Sequence, residues 1–416
     1  MPGHSSVRGQ PVVDEEAELL SAIDAAVSGA FRDLRRTVQK NLAFLTVAFL
    51  RVVGAARSGH GRLSLAALFR VLPTLGTAHS REKRLHRFLG NQRLDPRAVT
   101  EGLARLILGK RGPGLWPIVF DQTKAGSTQA LLAGVPFEGR TLPLAVYSFE
   151  YPWKEPTATK SQNWLEEVFL ADLEEALPAG AKAVFIGDRG YARASLLRRS
   201  AWLGRLYLIR GRSGTRVEYK GQQCKLGELP VETGKAIRYC GVFYQANERV
   251  PVDVVAFHDP SFKEPWWLLV PTETAKILPT KTVVALYRER MQVEHSFRDF
   301  KTHLGLRGLK LKVRIAERTG RLLLAFCIAY CLALVLGVSP EAKRARLDLE
   351  VQRRQARHGT RRTLSVLSLA MLMLSHPRWR GSAWRRLRLI AARIAQGKPA
   401  DKRAPPNITQ RLQRAA

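Results

Sequence analysis

Cysteine is scarce in this 416-residue chain. The four that occur, Cys224, Cys240, Cys327 and Cys331, do not fall into the paired spacing of a zinc site and are expected as reduced, structural thiols. Acidic residues are few as well, 35 Asp and Glu against 68 Lys and Arg, which leaves a formal charge of +33. So one-sided a balance calls for a polyanionic partner, of which nucleic acid is the usual one. A membrane surface is the alternative, and cations kept for solubility are the plain reading. The start MPGHSSVRGQPVVDEEAELL lacks the basic-then-apolar order of a signal peptide, so a cytoplasmic location is expected. Long apolar runs are missing too. Leu322 to Leu336 is about fifteen residues, short of the roughly 20 that a bilayer requires, and is expected as a buried core helix with no membrane crossing.

What is present suits packed cores, with 45% apolar residues in a chain long enough for roughly two to four structural units. Residues 15–110 alternate apolar and basic positions at helical spacing, and Asp95 before Pro96 reads as a helix N-cap with proline in the first turn. From Gly114 the period changes. LWPIVFDQT, LPLAVYSFEY and AKAVFIGDRGY read as short buried strands, while SQNWLEEVFLADLEEAL and ARASLLRRSAWLG read as helices between and after them. Strands alternating with helices give an α/β layer.

Over 212–280 the pieces TRVEYK, KAIRYCGVFY, VPVDVVAFHD and PWWLLVP are strand-like and broken by Gly, Pro and Asn. Helical spacing then returns from Lys281. The clusters RRQARHGTRR and WRRLRLIAARIAQGK are strongly basic, and GKPADKRAPPNITQRLQRAA reads as a mobile tail. The expected organisation is therefore a helical, basic region over 1–110 suited to a nucleic-acid partner, an α/β core over 111–211, a β-rich insertion over 212–280, the rest of the core over 281–340, and a basic helical region with its tail over 341–416.

Asp121 and Asp188 each follow an apolar strand, where an α/β sheet presents functional groups at its carboxyl edge. An aspartate there is also a common turn former, but the Gly-Asp-Arg-Gly-Tyr run around Asp188 permits a tight turn and close approach of a bulky ligand. In LYRERMQVEHSFRDFKTHLGL, Tyr287, Arg290, Glu294 and Lys301 stand at offsets of 0, 3, 7 and 14. At about 100° per residue these fall on one narrow helical face, either a functional stripe or a solvated charged face. Leu286, Val293, Phe297 and Phe300 supply an adjoining apolar face. Three carboxylates can hold two divalent ions roughly 4 Å apart, the arrangement that phosphodiester chemistry needs, and hard oxygen ligands favour Mg²⁺ or Mn²⁺.

The spacing of Tyr287, Arg290, Glu294 and Lys301 resembles the YREK signature of IS4-type bacterial insertion-sequence transposases. Asp121-Gln122-Thr123 and Asp188-Arg189-Gly190-Tyr191 are similar to that family's first and second aspartate motifs, in the right order over about residues 80–340. The resemblance implies an RNase H-like catalytic core with a β-rich insertion, flanked by helical N- and C-terminal regions. It implies Asp121, Asp188 and Glu294 as catalytic, metal-binding carboxylates for two Mg²⁺ ions, replaceable by Mn²⁺. Tyr287, Arg290 and Lys301 would hold double-stranded DNA beside the scissile phosphate, with Arg189 and Arg298 as further DNA contacts. Trp267 matches a tryptophan that stacks near a flipped base, although Trp266 and Trp267 read equally as strand residues, one of them core. The implied activity is cut-and-paste transposition, often through hairpin ends, by a homodimer that holds transposon ends and target DNA. The alternatives are a catalytically silent, transposase-derived DNA-binding protein and a simple metal-dependent nuclease.

Overall fold

The computed structural model describes residues 12–57, 64–110, 113–125, 128–151, 161–303, 316–351, 364–401 and 407–410. The first eleven residues, the cluster RRQARHGTRR and most of the final tail lie outside them. Among the described residues the chain opens with helices α1 (Val12–Ala30), α2 (Arg36–Arg57), α3 (Leu65–Arg70), α4 (Ala78–Leu89) and α5 (Pro96–Leu108). There follow β1 (Gly114–Ala125), β2 (Thr128–Phe137), β3 (Arg140–Phe149), α6 (Gln162–Ala176), β4 (Ala181–Gly187), α7 (Ala194–Trp202) and β5 (Leu206–Arg210). Then come β6 (Arg216–Tyr219), β7 (Gln222–Lys225), β8 (Ile237–Tyr244), β9 (Val250–Phe257) and β10 (Trp266–Val270). The last helices are α8 (Thr280–Arg298), α9 (Ala316–Gly337), α10 (Pro340–Leu349), α11 (Val366–Ser375) and α12 (Pro377–Ala395).

These elements form two compact units, each discontinuous in sequence. One gathers residues 1–110, 303–312 and 321–402, the other 111–302, 313–320 and 403–416. In the first, helical unit, α1 packs against α2, α5 and α12, and α11 against α2 and α12. Asp95 caps α5, its side chain accepting from the Arg97 N–H with Pro96 in the first turn, as the sequence predicts. The apolar run is a longer helix than its sequence suggests, 22 residues, and passes a membrane test by length and composition; yet 89% of its most apolar window is buried. No residue from Leu322 to Leu336 is more than 4% exposed. A helix apolar all round has no face to give to water, so it sits in the core, where Phe326 meets Phe49 edge-on at 5.3 Å.

The second unit is a mixed α/β layer on a ten-stranded sheet of order β3-β2-β1-β4-β5-β10-β9-β8-β6-β7. β1, β4 and β5 are parallel, and β2 and β3 add antiparallel strands to one side, as expected of an RNase H-like core. Strands β6 to β10 continue the same sheet, because β10 pairs antiparallel with β5. Strand β2 was not legible in the sequence. It turns into β3 through Glu138 and Gly139, both at positive φ (49° and 77°), the geometry of a two-residue type I′ hairpin. The stretch read as a mobile tail is not all loose. Asn407 and Ile408 are buried, the Asn407 amide donates to the Pro113 carbonyl, and the Leu115 N–H donates to the Thr409 hydroxyl.

Candidate active site

The parallel pairing of β1 with β4 runs from Gly114 opposite Ala181 to Val119 opposite Ile186. Two residues further along the same register, Asp121 comes alongside Asp188, just past the end of β4. Asp121 does not end its strand, as the sequence reading had it. β1 runs on to Ala125 on β2, with Asp121 opposite Leu132, and only the pairing with β4 stops. Gly187, the last residue of β4, lies under Phe120, and a Cβ there would stand 2.9 Å from the Phe120 ring. Asp188 then caps a tight helical turn, Arg189–Tyr191, and its Oδ1 accepts from the Gly190 N–H at 2.7 Å. Asp121 Oδ1 likewise accepts from the N–H of Gln122 at 2.8 Å.

Helix α8 packs across β1, β2, β3 and β4. Its C-terminal end is pinned to the β2–β3 hairpin: the Thr141 N–H donates to Ser296 Oγ at 2.9 Å, and Arg140 pairs with the buried Asp299. On its inner face Arg290 donates to Asp121 Oδ2 at 3.4 Å and to Glu294 Oε1 at 2.5 Å. Tyr287 and Arg290 are 5% and 7% exposed, whereas the Glu294 side chain is 43% exposed, so this stripe runs from the interior out to the surface. Tyr287 lies edge-on to Trp266 at 5.0 Å, and the Arg290 guanidinium sits 5.8 Å from its ring centre. Leu286, Val293, Phe297 and Phe300 are buried beside them.

Lys301 departs from the stripe. The α-helix ends at Arg298 and the chain continues as a π turn, Asp299–His303, whose wider winding takes Lys301 out of the 100° phase. Arg298 is exposed. Trp266 and Trp267 are both buried, but they differ in surroundings: Trp266 packs on Phe257, Phe262 and Tyr287, whereas Trp267 lines a cavity of about 680 Å³ with Asp188, Arg189 and Arg212. The Trp267 indole N–H has no partner among the described residues. Arg189 is exposed and faces Glu264 at 3.6 Å.

The electrostatics tie the carboxylates together. Burial first, and then the charge of Asp188, push the Asp121 carboxyl up to about 7; Glu294 adds to the rise, while Gln122 and Arg290 oppose it. Among the described residues no three His, Cys, Asp or Glu side chains stand close enough to ligate one ion as they are, and Arg290 lies between Asp121 and Glu294. The donor set nonetheless fits a hard divalent cation: a buried carboxylate beside two others is under-compensated, and oxygen ligands of this kind favour such ions.

Sequence reasoning missed one member of this neighbourhood, Glu166 on α6, which is 1% exposed and ion-paired to Arg193. Its signal is faint, since it stands in a helix rich in acids. Tyr191 lies at 4.5 Å over Phe120, its hydroxyl buried and without a partner among the described residues. Burial, with Asp121, Glu166 and Asp188 nearby, holds that phenol well above its ordinary range.

Residues 165–332 match the family model of the transposase DDE domain. The matched stretch takes in most of α6, Asp188, strands β4 to β10, and α8 with Glu294; Asp121 precedes it. This supports a transposase of the DDE type, an enzyme acting on DNA, in a family that generally uses divalent metal ions. No curated protein matches the chain.

Proposed function

We propose that the protein is a cut-and-paste DNA transposase of the IS4 type, with Asp121, Asp188 and Glu294 as the carboxylates that hold two Mg²⁺ ions, Mn²⁺ being able to substitute. The observation that carries this reading is Arg290 held between Asp121 of β1 and Glu294 of α8, with Asp188 alongside Asp121 just past β4 and Asp121 raised to about 7. When bound, the ions supply activation of the attacking oxygen and stabilisation of the leaving one. The chain's own residues do the rest. The Gly190 and Gln122 N–H groups aim the two aspartates, and Arg290, freed from Glu294, neutralises a phosphate oxygen at the cut. Tyr287 fixes the guanidinium by packing beneath it. Arg189, Arg298 and Lys301 hold the DNA backbone, and Trp267 stacks on a base turned out of the helix, a role its cavity beside Asp188 supports. Two ends must be held together, which calls for a homodimer, and a bacterial cytoplasm with the nucleoid as its site of action.

The test is cleavage of a supercoiled plasmid carrying the protein's own element ends with Mg²⁺. Glu294→Gln is expected to lower cutting at least about a hundredfold with DNA binding retained. Equal cutting by both proteins sinks the role of Glu294, and DNA binding with no cutting by either favours a silent DNA-binding descendant.

A further inference from the structure

A buried carboxylate needs partners for both oxygens, and those of Glu166 lead in two directions. Oε1 accepts from the Gln162 amide at 2.8 Å, and that same Nε2 donates to Gln122 Oε1 at 3.0 Å. Gln122 is the residue whose backbone N–H holds Asp121. On the other side Oε2 pairs with Arg193, whose NH1 donates to the Gly190 carbonyl at 3.3 Å, and Gly190 is the residue whose N–H holds Asp188. The turn has little slack, since a Cβ on Gly190 would stand 2.9 Å from Asp188 Oδ1.

From this geometry we infer that Glu166 is a positioning residue. Through Gln162 and Arg193 it fixes the two backbone segments that present Asp121 and Asp188, and so sets how well they bind a divalent cation. The inference rests on the functional reading above. Glu166 touches neither aspartate and has both oxygens committed, so it acts through its neighbours, as groups behind metal ligands do.

The experiment is Mn²⁺ binding to the full chain by calorimetry, with a melting curve for every variant. Wild type is compared with Glu166→Gln, Glu166→Gln/Arg193→Met, Gln162→Ala and Asp188→Asn. The double variant restores the charge balance, so a merely structural role would be rescued there. Both Glu166 variants are expected to melt cooperatively and bind Mn²⁺ about 10- to 100-fold more weakly, with Gln162→Ala weaker by several-fold. Wild-type affinity in a folded Glu166 variant overturns the inference. Should neither fold, Gln162→Ala on its half-buried residue decides, and unchanged affinity there overturns it. Wild-type affinity in Asp188→Asn overturns the functional reading and this inference together, a pattern distinct from loss at Asp188 with no effect at Glu166.

Discussion

Asp121 is held in the folded chain with a proton affinity far from the 3.8 of an ordinary aspartate, up to about 7, by burial and then by Asp188. The folded state therefore binds this proton more tightly than the unfolded one. The stability that protonation contributes is full below about pH 4 and is lost as the pH rises toward 7. In EDTA, Asp121→Asn is expected to be more stable than wild type by roughly 2–4 kcal/mol at pH 8, an advantage that narrows steadily toward pH 4. Melting curves across that range check it, and a difference that does not change with pH counts against the raised affinity. The residues that converge here were legible to different degrees. Asp121 and Asp188 stand out because each follows an apolar run in the sequence, and Glu294 because of its spacing from Tyr287 and Arg290. Glu166 does not stand out. Glu167, Glu174 and Glu175 share its helix, and only packing singles out the one that is buried.

At the scale of elements, close contacts decide what can be changed. Gly102, in the middle of α5, faces the buried ring of Phe31, and a Cβ there would meet that ring at 2.1 Å. Alanine favours a helix over glycine by about 1 kcal/mol, but forcing an aromatic ring from a packed site costs about 1–3 kcal/mol or more. Gly102→Ala is thus expected to lower the melting temperature; a rise would mean that Phe31 gives way freely. The same scale explains two departures from the sequence reading. Strand β2 carries Gly134 and Pro136 and shifts register between Ala133 and Gly134, so the alternation that marks a strand is broken where the strand is real. A Cβ on Gly134 would stand 2.2 Å from the Leu142 carbonyl, so its glycine serves a close backbone approach and not a turn. Lys301 was placed by assuming one winding throughout, and the π turn after Arg298 changes the winding just before it.

At the scale of the whole molecule, a charge of +33 dictates strong and salt-sensitive attraction to DNA. A plot of log affinity against log salt should have a slope steeper than about −5. Not all the cations are free for this. In the helical unit Arg386 pairs with Glu341 through two nitrogens, Arg388 with Glu18, and Arg378 with Asp348. Arg386→Gln is therefore expected to cost of order 1–3 kcal/mol of stability and to leave the salt slope nearly unchanged; the reverse pattern would make Arg386 a DNA contact. The discontinuity of that unit also bears on how the chain comes into being. Helices α1, α2 and α5 leave the ribosome long before the apolar helix α9, about 200 to 290 residues downstream, most of which belongs with them. At a synthesis rate of about 5–20 residues per second, their apolar faces wait roughly 10–60 s without it. During that interval the nascent chain presents sticky surface, and its yield in a cell should depend on chaperones that shield it until α9 emerges.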